Sequence, residues 1–231
     1  MMIRTVTLAA LLLAAAPAAA AERNYSVTSF DRIRVDGPYR VTLTTGVASF
    51  AKATGSNAGI DGISVSVQGR TLVVAGNPSQ WGGYPGEAPG PVELAVGTHD
   101  LTTAWLNGAG ALSVNKVKGL SFDVAVQGSG SVAIAEMDVD QLNLGIAGAG
   151  SATLAGRAQK ATAIIRGTSS LDASALQVKE LKLGAEGAAA IKAVATDTAK
   201  VDVRGTAGIE LAGKPACTVT ATGSATVKGC R

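Results

Sequence analysis

Aromatic side chains are scarce in this chain, and long helical patterns are missing. Phe, Trp and Tyr make up only 3% of the 231 residues, whereas 47% are hydrophobic. A core must therefore be filled by Val, Leu, Ile and Ala, as in a slender solenoid. No long stretch repeats its apolar residues at the 3.6-residue spacing of an amphipathic helix, so we expect an all-β fold.

Histidine and clustered positive charge are also lacking. His99 is the single histidine, and residues 97–100 around it are typical of an exposed turn. No local motif indicates nucleophilic catalysis, although a triad assembled in space stays open. The formal net charge is only +3, and Lys and Arg are scattered along the chain. Nucleic-acid binding needs a basic patch that neutralises phosphates, so we do not expect it.

What the chain has instead is a motif of small residues that returns every 18 to 20 residues. Each copy begins with a glycine and continues with small residues, as in Gly128-Ser129-Gly130-Ser131. The first glycines of the seven copies are Gly108, Gly128, Gly148, Gly167, Gly187, Gly205 and Gly223. A fixed period in this range is the signature of a solenoid.

Apolar or small residues recur at fixed distances from each of these glycines. Around Gly148 they are Leu144, Ile146, Ala152 and Leu154, which lie four and two residues before it and four and six after it. Residues two apart share one face of a strand, so each repeat predicts a strand, a tight corner and a second strand. We therefore predict a single-stranded parallel β-helix with coils ~4.8 Å apart, in which residues 120–126 and 142–146 are parallel neighbours.

The same template extends upstream of the regular repeats. The residues that fit it are Ile33, Val35, Gly37, Val41 and Leu43, which predict another coil. Residues 63–67 and 72–74 predict a hairpin, and residues 92–96 give one more strand. Residues 76–91 are rich in Gly and Pro and predict a loop that bulges from the solenoid.

The first 21 residues are typical of a secretory signal peptide. They carry one positive charge, a short apolar run and a closing Ala19-Ala20-Ala21. An uncleaved membrane anchor is the competing interpretation, but the run is near the lower length limit for a span. We predict a signal peptide over residues 1–21 and one β-solenoid domain over 22–231, with no transmembrane segment after cleavage.

Two cysteines, Cys217 and Cys230, lie near the end of the chain. Export implies an oxidising compartment, so we predict a structural disulfide that closes a loop around the last coil and caps it. A metal-binding or redox pair is the alternative. Their spacing matches no metal motif, and His99 is far away in sequence.

The acidic residues do not indicate an active site. Polysaccharide-degrading β-helices need carboxylates clustered on one face. Asp123 and Asp202 lie on separate coils, and the other acids, Asp172 and Glu210 among them, are expected to fall in different registers. Calcium loops would need acids that recur in register. We therefore predict no catalytic, metal-binding or cofactor-binding residues.

Three aromatic residues are candidates for ligand contact. Trp81 and Tyr84 lie in the Gly/Pro-rich loop, and Trp105 lies at an outward position of its strand. Together they would form a platform on which a glycan ring stacks. The alternative is that Trp81 and Tyr84 fix their own loop onto the side of the solenoid.

Several of these segments resemble one bacterial family. They are Phe30-Asp31-Arg32-Ile33-Arg34-Val35-Asp36-Gly37, Val41-Thr42-Leu43, the Gly-Ser-Gly-Ser and Gly-Ala-Gly-Ser corners, and the closing run from Cys217 to Cys230. Over roughly residues 29–231 the chain resembles the "putative auto-transporter adhesin, head GIN domain" family. The resemblance implies an exported, right-handed β-helix of unknown biochemistry. Members often carry Asp after the Gly-x-Gly corner, where this chain has Ala111, Ser131 and Ser151.

Shape, compartment and resemblance together predict a non-catalytic protein of the bacterial envelope. It would be exported to the periplasm or cell surface and act as an adhesion or scaffold module. Its partner would be a surface ligand such as a glycan or an envelope protein. The runner-up is a carbohydrate-active β-helix enzyme or a glycan-binding protein. The sequence identifies neither the ligand nor the oligomeric state.

Overall fold

The protein is a parallel β-solenoid of about six turns, as the sequence predicts. The computed structural model describes residues 21–80 and 90–230. The strands in these residues are Ala21–Tyr25 (β1), Arg32–Asp36 (β2), Arg40–Thr45 (β3), Phe50–Gly55 (β4), Ile63–Gln68 (β5), Thr71–Gly76 (β6), Glu93–Thr98 (β7), Thr103–Gly108 (β8), Ala111–Gly128 (β9), Ser131–Gly148 (β10), Ser151–Gly167 (β11), Ser170–Gly187 (β12), Ala190–Gly205 (β13), Gly208–Ala212 (β14), Ala216–Gly223 (β15) and Thr226–Lys228 (β16). Two short helices accompany them, α1 (Asn57–Asp61) and a 3-10 turn (Pro78–Gln80).

Each regular coil is one long strand that bends twice between two glycine corners. In β10 buried and exposed residues alternate, and the alternation breaks at two exposed pairs, Ala135-Glu136 and Asp140-Gln141. These breaks divide the coil into three short faces. The first face follows the glycine corner, and the third face leads into the next corner. The buried residues of the three faces of β10 are Val132 and Ile134, then Met137 and Val139, then Leu142, Leu144 and Ile146.

Successive coils stack in parallel with little register shift. Leu142 of β10 lies opposite Phe122 of β9, and Ile146 lies opposite Val126. The predicted parallel pairing of residues 120–126 with 142–146 is confirmed. Because like positions stack, the inward columns form one continuous apolar core along the rod.

The third residue of each corner points inward, which explains why it is small. A Cβ added to Gly130 would lie 2.7 Å from Cδ2 of Leu106 and 2.8 Å from the carbonyl oxygen of Gly110. In a later coil this position is Ser169, whose hydroxyl donates a hydrogen bond to the carbonyl oxygen of Gly148 (3.0 Å). A larger side chain would force neighbouring coils apart.

The predicted upstream coil exists, and it stacks directly on the first regular coil. Val35 of β2 lies opposite Leu106 of β8, and Val41 of β3 lies opposite Leu112 of β9. On its other side the same coil pairs with β6 and β7. These two strands form an outer layer of the stack. Residues 81–89 of the predicted Gly/Pro-rich loop lie outside the described part.

Antiparallel strands cover the N-terminal end of the stack. β5 pairs with β6 as the predicted hairpin, β4 pairs with β7, and β1 pairs with β4. Ser56 caps α1 by accepting a hydrogen bond from the Gly59 amide. β1, β4 and α1 are not predicted from the sequence, because their residues do not follow the coil template.

The C-terminal end is closed by a covalent bond. Cys217 and Cys230 form the predicted disulfide, with their Cα atoms 5.6 Å apart. Cys217 lies opposite Ala199 at the start of the final coil, and the bond joins the two ends of that coil.

Neither helix in the described part is long and apolar enough to cross a membrane. The predicted signal peptide lies almost wholly outside the described residues, which begin at Ala21. The domain limits and the right-handed winding of the β-helix stay predictions.

Candidate functional site

A shallow trough runs along the first face of the C-terminal coils. It crosses β11, β12, β13, β14 and β16 and encloses about 470 Å³. Small residues stack in register on its floor. They are Ser170, Ala190, Gly208 and Thr226, which belong to β12, β13, β14 and β16 respectively. Because these side chains are short, an extended ligand can approach the sheet closely here.

Four charged side chains stand beside this floor and alternate in sign. They are Asp172, Lys192, Glu210 and Lys228, and we call them the charged column. Each lies opposite the next in the parallel register. All four are exposed. Successive charges are therefore about 4.8 Å apart at their Cα atoms.

Asp172 is held in place by Ser174, two residues further along β12. The Ser174 hydroxyl donates to Asp172 Oδ1 at 2.6 Å, and the Ser174 backbone N–H donates to the same oxygen at 3.1 Å. These two hydrogen bonds lower the pKa of Asp172, and the nearby positive charge of Lys192 lowers it further. The carboxylate therefore stays ionised and can only accept hydrogen bonds from a ligand.

The charged column differs from charged neighbours on the other faces. Lys116 Nζ lies 2.6 Å from Glu136 Oε1 on the neighbouring strand, and Arg166 Nε lies 3.1 Å from Glu186 Oε2. Among the described residues, no ion pair within 4.0 Å joins two members of the charged column. The four charges are thus aligned in register, and among the described residues none of them is neutralised by an ion pair with another member of the column.

A second depression, of about 590 Å³, lies near the N-terminal end, and its charged groups have structural partners. Arg70 donates to Asp31 Oδ2 from Nε at 3.0 Å and approaches it from Nη2 at 2.7 Å. The Thr98 hydroxyl donates to the backbone oxygen of Phe30. These contacts tie the β5–β6 turn and the end of β7 to the start of the upstream coil.

His99 has the exposed environment that its sequence predicts. Its side chain is 88% exposed, and its Nδ1 lies 3.7 Å from Asp100 Oδ1. In the part of the chain that the structure describes, no hydrogen bond links the His99 ring to a serine or cysteine. The structure thus brings no nucleophile to this histidine.

Of the three candidate aromatic residues, the described part of the chain includes Trp105. Trp81 and Tyr84 lie outside the described residues, so the glycan platform stays a prediction. Trp105 is half-buried on a third face, between Arg34 and Ala125 of the adjacent coils. It therefore lies on a different face from the trough.

The acids of the trough correct one expectation from the sequence. Asp172 and Glu210 do not fall in different registers, because both lie five residues after the first glycine of their repeats. Lys192 and Lys228 share this position. The alignment of repeats that revealed the apolar columns therefore also shows that these four charged residues lie in one column. The outward columns vary in residue type, and their common position is therefore easily missed.

The trough offers no evident metal site. No group of three or more His, Cys, Asp or Glu side chains suited to a metal ion is found in residues 21–80 and 90–230. Within the charged column, Lys192 stands between the two carboxylates and would repel a cation.

Comparison with known proteins connects this architecture to a family. The family model described as "Putative auto-transporter adhesin, head GIN domain" matches residues 29–215. A search of curated proteins found no significant match.

Several solved structures share this fold. A "putative adhesin" from Bacteroides fragilis superposes with a TM-score of 0.81 at 21% identity, covering 90% of this chain and 96% of that chain. A "putative lipid binding protein" from Parabacteroides distasonis has a TM-score of 0.72 at 17% identity, with coverage of 90% and 96%. A "putative adhesin" from Parabacteroides merdae has a TM-score of 0.67 at 18% identity, with coverage of 90% and 95%. At these identities the likeness establishes the fold alone.

Proposed function

The chain belongs to the family described as "Putative auto-transporter adhesin, head GIN domain", and from this premise we propose that it is an exported, non-catalytic adhesion module of the bacterial envelope. Its ligand binds along the trough. The observation that carries the proposal is the charged column, whose four charges stand in register beside a floor of small residues. Because the strands of the solenoid already hold the backbone of this array in place, binding does not require an additional entropy cost for ordering the backbone.

Export is supported by the two ends of the chain. The disulfide between Cys217 and Cys230 is a bond that persists in oxidising compartments. The first 21 residues have the pattern of a signal peptide, so we place the mature domain at residues 22–231. Cell fractionation tests this placement, and recovery of the protein in the cytoplasm would contradict it.

The chemistry of the trough favours an extended polar ligand. Alternating carboxylates and ammonium groups can accept and donate hydrogen bonds along a chain of hydroxyl or amide groups. An acyl chain would need an apolar groove, and the exposed side chains here are charged or small. A glycan or a peptide segment of an envelope protein therefore fits better than a lipid tail.

A glycoside hydrolase is the second candidate, and one observation favours it. Asp172 and Glu210 lie on one column two coils apart, ~9.6 Å at their Cα atoms, near the carboxyl separation of inverting enzymes at ~6.5–9.5 Å. Such an enzyme needs one carboxyl group with a raised pKa as general acid. The pKa of Asp172 is lowered, so Glu210 would have to fill that role beside Lys192.

Ligand capture with matched variants tests the proposal. Labelled protein is applied to arrays of bacterial glycans and to solubilised envelope proteins. The combined change Lys192→Met with Glu210→Gln should abolish binding. The control, Lys116→Met with Glu136→Gln, makes the same chemical changes at the bend between the first and second faces of β9 and β10 and should leave binding intact. Equal binding by both variants would contradict the trough as the site.

A turnover assay separates the two candidate functions. The wild-type protein is incubated with a panel of polysaccharides, and reducing ends are measured. We expect no product. Release of product that stops in both Asp172→Asn and Glu210→Gln would establish the hydrolase instead.

A further inference from the structure

The order of charges in the trough is self-complementary. Along the rod the charged column reads minus, plus, minus, plus, with even spacing from coil to coil. If a second copy lies face to face with its rod axis reversed, Asp172 meets Lys228 of that copy and Lys192 meets its Glu210. All four contacts then join opposite charges. With the rods parallel, every contact would join like charges.

We infer that the trough is occupied by a second copy of this chain, in an antiparallel, two-fold symmetric dimer. The two-fold axis lies between the two faces, parallel to the strands, and passes between Lys192 and Glu210. This inference rests on the proposed function, because it names the partner of the same trough. Closed two-fold contacts are the commonest form of homo-oligomer, and one surface serves both partners.

Two features of the trough suit this partner. The floor of Ser170, Ala190, Gly208 and Thr226 would face the same floor of the second copy, so that no large floor side chain blocks the approach of the two charged columns. Within residues 21–80 and 90–230 none of the four charges has an ion pair, although charged neighbours elsewhere on the coils do pair. Their charges are therefore available to the second copy, and complementarity of this kind selects the orientation of the partner.

The dimer is expected to be weak. Five strands at ~4.8 Å spacing and about four residues of width give a face of roughly 24 by 13 Å, below the size of a standard stable interface. Exposed ion pairs add little free energy each, and salt screens them. Dimerisation should therefore depend on protein concentration and decrease as salt is added. Many copies on one surface would make such a contact effective through multivalency.

Charge reversal with rescue tests the inference by sedimentation equilibrium of the disulfide-bonded protein. The wild type should dimerise at high micromolar concentration in low salt. Lys192→Glu should be monomeric, because Glu then faces Glu twice, and Glu210→Lys should be monomeric for the corresponding reason. An equimolar mixture of these two variants should dimerise, since Glu at 192 of one chain faces Lys at 210 of the other. The rescue also proves that each variant is folded.

The double variant separates contacts between chains from contacts within one chain. Lys192→Glu with Glu210→Lys gives the order minus, minus, plus, plus, which disturbs the column within a chain but remains complementary between antiparallel copies. It should dimerise like the wild type. Lys116→Glu, at the bend between the first and second faces of β9, is the control and should leave dimerisation unchanged.

Three results would overturn the inference: a monomeric wild type at the highest concentration, single variants that dimerise as well as wild type, or a mixture without rescue. A monomeric wild type that still captures an envelope ligand, and loses it with Lys192→Met and Glu210→Gln, would leave the proposed function standing. Dimers without any captured ligand would instead identify self-association as the adhesive contact.

Discussion

Gly148 lies directly beneath Gly128 at the same corner of consecutive coils, and a Cβ on Gly148 would lie 2.6 Å from the carbonyl oxygen of Gly128. The φ angle of Gly148 is also positive, at 112°. Two independent constraints therefore require glycine at this corner, the backbone conformation and the contact with the adjacent coil.

The first prediction concerns this corner. Gly148→Ala should destabilise the protein by about 2–4 kcal/mol, because the new Cβ is strained by φ and collides with backbone that cannot move alone. Gly145→Ala is the matched control, since its Cβ would have no atom closer than 4.0 Å. The control should change stability by less than about 1 kcal/mol. Urea unfolding followed by circular dichroism measures both, and equal losses would contradict the packing argument.

The second prediction tests the core of a regular coil. Phe122 is fully buried, whereas Leu120 on the same strand is 79% exposed. Phe122→Ala should cost about 3–5 kcal/mol, through lost burial and the cavity left behind. Leu120→Ala should stay within about 0.5 kcal/mol of wild type. If the two variants unfold at the same urea concentration, the inward and outward assignment of this face is wrong.

The third prediction concerns the disulfide at the C-terminal end. Replacing both Cys217 and Cys230 with Ser should lower stability by ~3 kcal/mol, as expected when a loop of this length is no longer closed in the unfolded chain. The upstream coils should remain folded, because each coil contacts mainly its neighbours. Reductant should lower the melting temperature of the wild type and leave the variant unaffected. Two free thiols in protein exported by its native host, measured by mass spectrometry, would contradict a structural bond.

The fourth prediction concerns the stability of the N-terminal end in acid. Asp31 is only 15% exposed, and the hydrogen bond from Arg70 is the main cause of its lowered pKa. A carboxylate with a lowered pKa stabilises the fold above the ordinary aspartate pKa of ~3.9, and this contribution disappears as pH falls toward the lowered value. Wild type should therefore exceed Asp31→Asn in stability at neutral pH, with the difference shrinking below about pH 4.

Urea midpoints measured across this pH range test the fourth prediction. Asp100→Asn serves as control, because that side chain is 71% exposed beside His99. It should show a small difference from wild type at neutral pH. A constant gap between wild type and Asp31→Asn down to the lowest pH would show that the ion pair with Arg70 contributes no pH-dependent stability.

Much of the solenoid was predictable from local pattern. The spacing of Gly128, Gly148 and their equivalents sets the length of a coil, and apolar residues two apart set which side chains point inward. The same template correctly identified the coil around Gly37. The disulfide followed from export and from there being only two cysteines.

The charged column was harder to predict from the sequence, although its residues lie in the same alignment of repeats. Residues five after the glycine include Ala133, Thr153 and Lys192, so the outward column has no common chemical type. Packing in the core restricts the inward positions to apolar or small residues, so these positions look alike from repeat to repeat. The outward positions are not restricted by packing, and their residue types differ. The alternation of Asp172, Lys192, Glu210 and Lys228 becomes visible as a surface only when the strands are placed side by side.

By itself the sequence determined the repeating unit, because period, corner glycines and inward columns are all local properties of the chain. Only the tertiary structure decided that Asp36 and Asn107, 71 residues apart, are hydrogen-bonded neighbours. Between these two residues the chain completes the upstream coil with β3, adds β6 and β7 to the outer side of that coil and covers the end with antiparallel strands. Pairing between distant strands depends on which edges remain open after the coils have stacked. No local sequence pattern specifies which distant strands pair, so this pairing is determined only in the assembled fold.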